Sequence, residues 1–447
     1  MTQTIAAIAT AHGVGSISII RLSGDKAYDI ALRLSKRSSF TVRYATLTTL
    51  YNSHNELLDE VIAIYFKAPF SFTAEDVIEL QCHGGYIVAN EILKNCLHLG
   101  AHLAKPGEFS KRAFLNGRID LSEAEAISQL IEAKSEDAAK ILARQMKGEL
   151  RHYIEEVRDE LLLILAYCEV SIDYAEEDLP QDLIEQIMQK LDALHVRLNA
   201  TLQASQSRQG LMQGFKVSII GKPNVGKSSL LNALLNFNRA IVSEIAGTTR
   251  DTIEEQVKIG THLIRIIDTA GIREAGDEIE RIGIERSLKA IHESDVVIAL
   301  FDSSGILDDE DYAILDLIQE HKKDRTFITV LNKSDLTCKI DTSIFENHQA
   351  LYLNTKSSTT ELINALERIM DANNNSQEMM LISTRQIEAV ELTCNEIIAS
   401  KMPLEDQELE IFSFHLNAAL HAIASITRPF ENDEMLDKMF GSFCLGK

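Results

Sequence analysis

The spacing of apolar residues divides the chain into regions with different predicted secondary structure. Within residues 1–119, short runs such as 16–22 and 60–66 have the composition of strands and alternate with amphipathic segments and glycine-containing turns. From the Asp-Leu-Ser-Glu sequence at 120–123, which is typical of a helix start, an apolar stripe with helical spacing continues to about residue 210. We therefore expect a compact α+β domain followed by long helices.

Strands and helices then alternate between residues 214 and 371. The runs with strand composition are 216–220, 252–259, 262–267, 296–301, 326–331 and 350–353. This alternation predicts an α/β domain with a largely parallel sheet. A polar stretch at 371–376 follows, and helical spacing returns from about residue 384 to residue 443.

Two helical stretches therefore flank one α/β domain. The economical arrangement is a discontinuous helical domain into which the α/β domain is inserted, because domain termini often lie close together. Two independent helical domains are the alternative. The predicted boundaries are 1–119 for the N-terminal domain, 120–211 and 373–447 for the two helical parts, and 212–372 for the inserted domain.

Composition and charge limit the classes of function. A chain of 447 residues is expected to contain several domains. It has no apolar run near the roughly 20 residues of a membrane-spanning helix and no signal peptide, so we expect a cytoplasmic protein without membrane contact. The net charge is -23, while residues 1–119 carry 12 basic and 10 acidic residues. Any RNA contact should therefore be local or be supplied by a basic partner.

The six cysteines contain no Cys-x-x-Cys pair that would indicate zinc or dithiol redox chemistry. Most are expected to be small buried apolar residues. Cys444 is the exception, because it is the fourth residue from the end of the sequence.

A glycine-rich loop follows the first strand of the inserted domain. Residues 221–228 read Gly-Lys-Pro-Asn-Val-Gly-Lys-Ser and are followed by a predicted helix, which is the setting of a Walker A phosphate loop. Lys227 is expected to reach the β- and γ-phosphates of a nucleotide, and the Ser228 hydroxyl to bind Mg²⁺. The loop residues expected to contact the nucleotide are Asn224, Val225, Gly226, Lys227, Ser228 and Ser229.

Two further motifs identify the nucleotide as GTP. The residues Asp268, Thr269, Ala270 and Gly271 follow an apolar strand, as a Walker B carboxylate and a γ-phosphate contact would. In the Asn-Lys-Ser-Asp sequence at 332–335, Asn332, Lys333 and Asp335 are the expected base contacts. An Asp carboxylate can accept both N–H groups of the guanine edge, whereas adenine offers neither. The turn at 354–356 is the candidate to close the base pocket.

The residues that position the attacking water differ from those of Ras-like proteins. There a Gln follows the Asp-x-x-Gly motif, whereas this chain has Ile272, which cannot orient water. The acidic segment 274–281 either offers a carboxylate for this role or forms a solvated helix start. One threonine hydroxyl of the loop 246–251 should complete the Mg²⁺ shell. Asn224 could bind a monovalent cation that replaces an arginine finger, and Arg250 is the nearest alternative finger.

Over essentially its whole length the sequence resembles the MnmE (TrmE) family of tRNA-modifying GTPases. The motifs that carry this resemblance are Ile-Arg-Leu-Ser-Gly at 20–24, Phe-Thr-Ala-Glu-Asp-Val-Ile-Glu-Leu at 72–80, the segments 106–110 and 113–117, Gly-Thr-Thr-Arg-Asp at 247–251, and Phe-Cys-Leu-Gly-Lys at 443–447. The terminal Cys-Leu-Gly-Lys sequence is the most specific of them.

The resemblance implies an N-terminal domain that binds a tetrahydrofolate derivative, in the 5,10-methylene or 5-formyl form, and that forms a homodimer. It implies a helical domain and an inserted Ras-like P-loop GTPase domain that is activated by K⁺ when the G domains dimerise. With the FAD protein MnmG, in a heterotetramer, family members add an aminomethyl or carboxymethylaminomethyl group to the wobble uridine of certain tRNAs.

The resemblance also assigns roles to individual residues. The additional GTP contacts would be Ser243, Glu244, Ile245, Ala246, Gly247, Thr248 and Thr249. The K⁺ ligands would be Asn224, Ser243, Ile245 and Thr248, and the Mg²⁺ ligands Ser228 and Thr249. The catalytic residues would be Glu280, which orients the water, with Lys227, Thr249 and Cys444. The folate contacts would be Arg21, Glu79, Arg118 and Lys447. Cys444 is either a nucleophile or a structural thiol.

The alternative function is a GTP switch that acts as a binding module in ribosome assembly, as in Era or Der. Those proteins combine a similar GTPase with a KH-type domain, which has a Gly-x-x-Gly loop and basic charge. Neither feature occurs after residue 371. The sequence therefore favours the tRNA-modifying enzyme.

Overall fold

A computed structural model of the protein describes residues 3–11, 13, 15–133, 135–173, 181–207, 210, 212, 214–237, 255–267, 288–348, 350–372, 379–428, 433–443 and 446. Contacts between Cα atoms divide the chain into two compact units. The first contains Met1–Ile131, Arg144–Leu191 and Glu388–Lys447, and the second contains Glu132–Ala143 and Asp192–Ile387. Each unit contains one six-stranded sheet.

The helices and strands have the following bounds. The strands are β1 (Ile5–Ile8), β2 (Ile17–Ser23), β3 (Thr46–Tyr51), β4 (Leu57–Phe66), β5 (Val77–His83), β6 (His102–Leu103), β7 (Phe215–Ile220), β8 (Glu255–Ile259), β9 (His262–Ile266), β10 (Val296–Asp302), β11 (Thr326–Asn332) and β12 (Leu351–Tyr352). The α-helices are α1 (Ala27–Ser35), α2 (Tyr86–His98), α3 (Glu108–Leu115), α4 (Leu121–Glu132), α5 (Glu136–Gln145), α6 (Glu149–Asp173), α7 (Gln181–Ser207), α8 (Lys227–Phe237), α9 (Asp309–His321), α10 (Thr360–Ala372), α11 (Thr384–Glu405), α12 (Leu409–Ala424) and α13 (Asp433–Phe440).

The sheet of the first unit has the order β3-β4-β5-β2-β1-β6, and its pairs are antiparallel except for β1 with β6. Alternate strand residues such as Ile20 and Leu80 are fully buried in a cluster with Ile30 of α1 and Ile92 of α2. The opposite face is covered only in part. There Ile5, Ala7, Ala104 and Phe109 form a small cluster.

The long helices begin where the sequence predicts. At the start of α4, the Glu123 N–H donates to Asp120 Oδ1 at 2.8 Å and the Asp120 N–H donates to Glu123 Oε2 at 2.9 Å. These reciprocal bonds satisfy two backbone donors that the first turn of a helix leaves unpaired. In the same unit α6 packs against α12.

The sheet of the second unit has the order β12-β11-β10-β7-β9-β8, in which β8 is antiparallel to β9 and the other pairs are parallel. Val296 through Phe301 of β10 are all buried, which explains the continuous apolar run of this strand. Ile141 of α5 belongs to the core of this unit. The carboxyl ends of β7, β10 and β11 meet at one edge, which is where ligands bind in parallel sheets.

The predicted fold class is confirmed by this architecture. The six strands of the second unit occur where the sequence predicts them, and apart from the start of β8 their ends match the prediction or differ from it by one residue. Residues 252–254 of the predicted second strand lie outside the described residues. The predicted domain boundaries stay a prediction.

Candidate functional site

The loop between β7 and α8 has a backbone shape that excludes a side chain at two positions. Gly221 and Gly226 have φ angles of +155° and +106°. A Cβ at Gly221 would lie 2.5 Å from the Leu300 carbonyl oxygen, and one at Gly226 would collide with Asn332 Nδ2. Because these positions are glycines, the loop leaves the N-terminus of α8 open to an anion. The geometry suits a bound phosphate group.

Lys227, the first residue of α8, turns its side chain back over this loop. Its ammonium group donates to the carbonyl oxygens of Gly221 at 2.7 Å and Lys222 at 2.8 Å. Burial lowers the pKa of Lys227, although the charge of Glu310 acts in the opposite direction. Because both hydrogen-bond partners are neutral carbonyls, the positive charge remains available to phosphate oxygens.

The other predicted contacts of the phosphate loop lie on the same segment. Asn224 (φ +63°), Ser228 and Ser229 are exposed, whereas the Val225 side chain is buried. An amide oxygen and a hydroxyl are hard donors of the kind that Mg²⁺ and alkali cations take. Asn224 and Ser228 therefore have the donor chemistry that their predicted roles require.

The base end of the site is held together by Asn332, at the end of β11. Its side-chain amide donates to the Val225 carbonyl oxygen at 2.8 Å, and its Oδ1 accepts from the Thr355 N–H at 3.3 Å. Asn332 thus connects the phosphate loop to the predicted base-closing turn. Asp335 is exposed, and within the described ranges no hydrogen bond or ion pair occupies its carboxylate. That carboxylate is open to the N–H groups of guanine.

Lys333 is held by a residue that the sequence analysis did not identify. Its ammonium group lies 2.5 Å from Asp302 Oδ2, at the end of β10. Ser304 donates to the other oxygen of Asp302 from its N–H at 2.9 Å and from its hydroxyl at 2.7 Å. Partial burial would raise the pKa of Asp302, but these hydrogen bonds outweigh it and lower the pKa. Asp302 directly follows the predicted strand 296–301, which precedes the strand of Asn332 along the chain. That position is the sequence signal that could have identified Asp302 as a partner of Lys333.

Several predicted residues lie outside the described part of the chain. In residues 238–254 these are Ser243, Glu244, Ile245, Ala246, Gly247, Thr248, Thr249 and Arg250. In residues 268–287 they are Asp268, Thr269, Ala270, Gly271, Ile272 and Glu280. The described strands β8 and β9 lie between these two segments, and Ile267 donates its N–H to the Val217 carbonyl oxygen at 3.1 Å. The roles predicted for these residues remain predictions.

Two of the predicted folate contacts form an ion pair with each other. Arg21 of β2 lies opposite Glu79 of β5, and Arg21 Nε and Nη2 lie 2.9 and 2.8 Å from Glu79 Oε1. The Arg21 guanidinium also lies 5.5 Å from the centre of the Phe72 ring and 5.7 Å from that of Phe109. Both charged side chains are about four-fifths buried, at 20 % and 16 % exposure. The site therefore holds a neutralised charge pair between aromatic rings.

The other predicted folate contacts are placed less completely. Arg118 is exposed and follows α3. Lys447 and Cys444 lie outside the described residues, but Gly446 is described, and a Cβ there would collide with the Ile8 carbonyl oxygen at the end of β1. Gly446 thus lies close to β1, the strand that pairs with β2.

The motif at 72–80 contains a second buried network that sequence reasoning missed. Arg112 of α3 donates to Glu75 Oε2 at 3.0 Å and to Glu108 Oε1 at 2.9 Å. Ser23 donates to Glu75 Oε2 at 2.7 Å, and its oxygen lies 2.6 Å from the Thr73 hydroxyl. These bonds fasten the loop before β5 to β2 and α3.

Most of the described cysteines are buried, as the sequence analysis expects. Cys82, Cys96, Cys168 and Cys394 are buried, and Cys338 is exposed. Burial raises the pKa of Cys82 and Cys394 to about 11, which is unlike a reactive thiol. Within the described ranges, no group of three or more His, Cys, Asp or Glu side chains could hold a metal ion, and no helix is long and apolar enough to cross a membrane.

Comparison with known proteins covers the full chain. Residues 4–118 match the model of the GTP-binding protein TrmE N-terminus, and residues 121–444 match that of the MnmE helical domain. The chain is similar to the tRNA modification GTPase MnmE of Sulfurimonas denitrificans, with 68 % identity over 445 residues, which cover 100 % of this chain and 99 % of the relative. The same protein of Aliarcobacter butzleri is 59 % identical, and that of Sulfurovum sp. 58 %, each over 100 % of this chain and 99 % of the relative.

The two family models adjoin along the chain and together span most of it, and the relatives match it from end to end. The phosphate loop follows β7, and the Asn332–Asp335 motif begins at the last residue of β11. The chain belongs to the family of the tRNA modification GTPase MnmE.

Proposed function

We propose that the protein hydrolyses GTP and acts in the modification of tRNA. The observation that carries the nucleotide assignment is the open carboxylate of Asp335 beside Asn332, which is bonded to the phosphate loop through Val225. A guanine bound there would have its N–H edge matched by a carboxylate, and its phosphates would lie at the N-terminus of α8 near Lys227. The names of the relatives support the same activity.

Hydrolysis is proposed to require Mg²⁺ and K⁺. Ser228 and Thr249 would bind Mg²⁺, and Asn224, Ser243, Ile245 and Thr248 would bind K⁺. These cations supply positive charge that offsets the charge developing on the phosphates. Lys227 would hold the β- and γ-phosphates, and Glu280 would orient the attacking water in place of the Gln that Ile272 replaces.

The modification itself is proposed to take place on the wobble uridine of certain tRNAs, with the FAD protein MnmG as partner and a folate as one-carbon donor. An aminomethyl or carboxymethylaminomethyl group would be added. The N-terminal site offers Arg21 and Glu79 to the folate, beside the partly buried ring of Phe72. The protein would act in the cytoplasm, where its tRNA substrates are.

A homodimer is proposed through the N-terminal sheet, and a heterotetramer with MnmG. The uncovered part of the sheet face supports the homodimer. Leu47 and Ile62 lie opposite each other on β3 and β4 and expose 61 % and 38 % of their surface. Paired apolar side chains on an open sheet face are typical of a surface that is covered by another molecule. Leu47→Lys should weaken self-association in sedimentation experiments.

The deciding experiment is mass spectrometry of wobble uridines in cells that lack this protein. We expect the aminomethyl-type modifications to disappear, to return with the unaltered gene, and not to return with Asp335→Asn. Normal wobble uridines together with a defect in ribosome assembly would instead support the alternative, a GTP-dependent binding module.

A further inference from the structure

The phosphate loop carries a second lysine whose partners lie on another element of the same unit. Lys222, directly after Gly221, extends its ammonium group to Asp308 Oδ2 at 2.7 Å and Asp311 Oδ2 at 2.5 Å. Lys222 is mostly buried, with 18 % of its side chain exposed, and Asp311 is more buried, with 3 % exposed. One cation therefore serves two carboxylates at the edge of the predicted nucleotide site.

The two carboxylates have fixed positions because they also form the N-terminal cap of α9. The Asp311 N–H donates to Asp308 Oδ1 at 3.2 Å, and the Asp308 N–H donates to Asp311 Oδ2 at 3.2 Å. Such a reciprocal cap satisfies the free backbone donors of the first turn. Lys222 is therefore bound to a rigid helix end and not to a mobile surface chain.

The α9 end places an unusual amount of negative charge near a site for a polyanion. Asp308, Asp309, Glu310 and Asp311 are consecutive acidic residues, and the charge of Glu310 is close enough to act on Lys227. In the part of the chain that the structure describes, Lys222 is the cation that forms ion pairs with Asp308 and Asp311. Without it, two uncompensated carboxylates would lie beside the phosphate loop.

Lys222 is also connected to the lysine that is expected to bind phosphate. Its carbonyl oxygen accepts a hydrogen bond from Lys227 Nζ at 2.8 Å, so the same residue is held at its side chain by α9 and at its backbone by Lys227. A shift of Lys222 would move both the loop backbone and the Lys227 ammonium group. The anchor therefore connects α9 to the groups that are proposed to bind phosphate.

We propose that Lys222 is a positioning residue for the nucleoside triphosphate, which screens the carboxylates of Asp308 and Asp311 from the phosphates and fixes the first turn of the phosphate loop. This inference rests on the proposed GTP binding. It predicts an effect on nucleotide affinity that grows with the number of phosphates, because the screened repulsion acts on each phosphate charge. Lys222 need not contact the nucleotide.

The experiment compares Lys222→Met, Lys222→Arg, Asp308→Asn and the double variant Lys222→Met with Asp308→Asn, in the full-length chain. The affinities for GTP and GDP are measured by titration with fluorescent analogues. Lys222→Met should weaken GTP binding about 10-fold and GDP binding about 3-fold, from removal of one charge near the phosphates. Lys222→Arg keeps the positive charge, so its affinities for GTP and GDP should be close to those of the unaltered protein. The double variant should recover part of the loss, because it removes one of the two carboxylate charges that the loss of the lysine leaves uncompensated.

Lys322→Met is the matched control. Lys322 lies at the other end of α9 and bonds the neutral Gln319, so the same charge change there should leave both affinities unaltered. If Lys222→Met does not fold, Asp308→Asn alone decides: it removes one repelling carboxylate and should tighten GTP binding about 2-fold. Asp308 is more than half exposed, so that variant is expected to fold.

The outcomes separate this inference from the proposed function. Failure of the unaltered protein to prefer GTP over ATP would overturn the proposed function itself. If the unaltered protein binds GTP selectively, equal affinities for Lys222→Met and the unaltered protein would overturn the role of Lys222. Loss of affinity in Lys222→Arg as large as in Lys222→Met would also overturn it, because charge would then not be the cause.

Discussion

The nucleotide site and the Arg21 site differ in how they treat charge before a ligand binds. In the nucleotide site, Lys227 contacts neutral carbonyl oxygens, and the Asp335 carboxylate has no partner within the described ranges. In the N-terminal site, Arg21 and Glu79 already neutralise each other. A ligand therefore meets unbalanced charge in the first site and a closed ion pair in the second.

This difference determines which ligands each site can select. A full charge without a counter-ion favours a ligand group of opposite sign or a matching hydrogen-bond edge, and it rejects a ligand that leaves the charge unpaired. A closed ion pair offers no net charge, so a ligand must approach it from the side or replace one partner. In a partly buried pair, removal of one partner leaves the other uncompensated, which costs more than the pair contributes.

The largest expected effect comes from replacing the Asp335 carboxylate of the nucleotide site. Asp335→Asn exchanges an acceptor for a donor, so GTP affinity should fall by roughly 10³ or more, while xanthosine triphosphate should become a ligand. Titration with both nucleotides measures the exchange, and ATP serves as the control that neither protein should bind well. Unchanged GTP affinity would mean that the base is recognised by other groups.

The phosphate loop and the motif at the end of β11 could be recognised in the sequence because their residues are close together along the chain. Gly221, Gly226 and Lys227 lie within one short loop, and Asn332 to Asp335 follow one apolar strand, so neighbouring residues carry the whole motif. The parallel sheet was predictable for the same reason, since β10 is one continuous apolar run. Because β7 and β11 run in the same direction, the phosphate loop and the Asn332–Asp335 motif lie at the same edge of the sheet.

The contacts between distant parts of the chain could not be predicted in the same way. Lys222 and Asp311 are 89 positions apart, and Arg21 and Glu79 are 58 positions apart. Their pairing depends on the register of β2 with β5 and on the position of α9, which are set by packing of the whole unit. The role of Glu75 as the partner of Arg112 was hidden for this reason, although the motif that contains it was evident.

The second prediction tests whether GTP hydrolysis needs K⁺ near Asn224 and a carboxylate that orients the attacking water. Exchange of KCl for NaCl, and Asn224→Ala in KCl, should each lower GTP turnover roughly 10²-fold while nucleotide affinity changes little, because the missing charge acts on the transition state. Glu280→Ala should be slow in either salt. Phosphate release under saturating GTP is the measurement. Equal turnover in both salts, with activity abolished by Arg250→Ala alone, would identify an arginine finger instead.

The third prediction concerns removal of one partner from the Arg21–Glu79 ion pair of the N-terminal site. Arg21→Ala should weaken 5-formyltetrahydrofolate binding roughly 10-fold or more, because a charge-assisted contact is lost and Glu79 is left as an uncompensated anion near the glutamate tail. Deletion of Lys447 should have a similar effect. Calorimetry measures the folate affinity, and GTP affinity is the control, since the change lies in the first unit.

Glu79→Gln distinguishes the two roles in that pair. If Glu79 accepts pterin N–H groups, the amide should weaken folate binding as Arg21→Ala does. If Glu79 only neutralises Arg21, its loss should free the guanidinium and tighten binding of the anionic tail. Unchanged folate binding in Arg21→Ala and in the Lys447 deletion would refute both roles.

The smallest effect concerns Asp302, where the nucleotide site does contain a closed pair. Its hydrogen bonds from Lys333 and Ser304 lower its pKa below the ordinary value of about 3.9, although partial burial acts against them. A carboxyl whose folded pKa is lowered contributes stability that is present above the unfolded pKa and is lost as the pH falls through the folded pKa.

Because Lys333 is a third exposed, the contribution of the Asp302–Lys333 pair to the free energy of unfolding is roughly 0.5–1 kcal/mol. Asp302→Asn should therefore lower the Tm of the nucleotide-binding unit by about 1–4 °C. The difference from the unaltered protein should persist down to pH 4, where an ordinary Asp would be about half protonated, and should narrow only below that pH. Scanning calorimetry from about pH 7.5 to about pH 3 measures it, with Lys333→Met as the partner variant expected to show a shift of the same sign. A difference that already vanishes by pH 5 would mean that the pKa is raised and that the pair does not stabilise this end of the site.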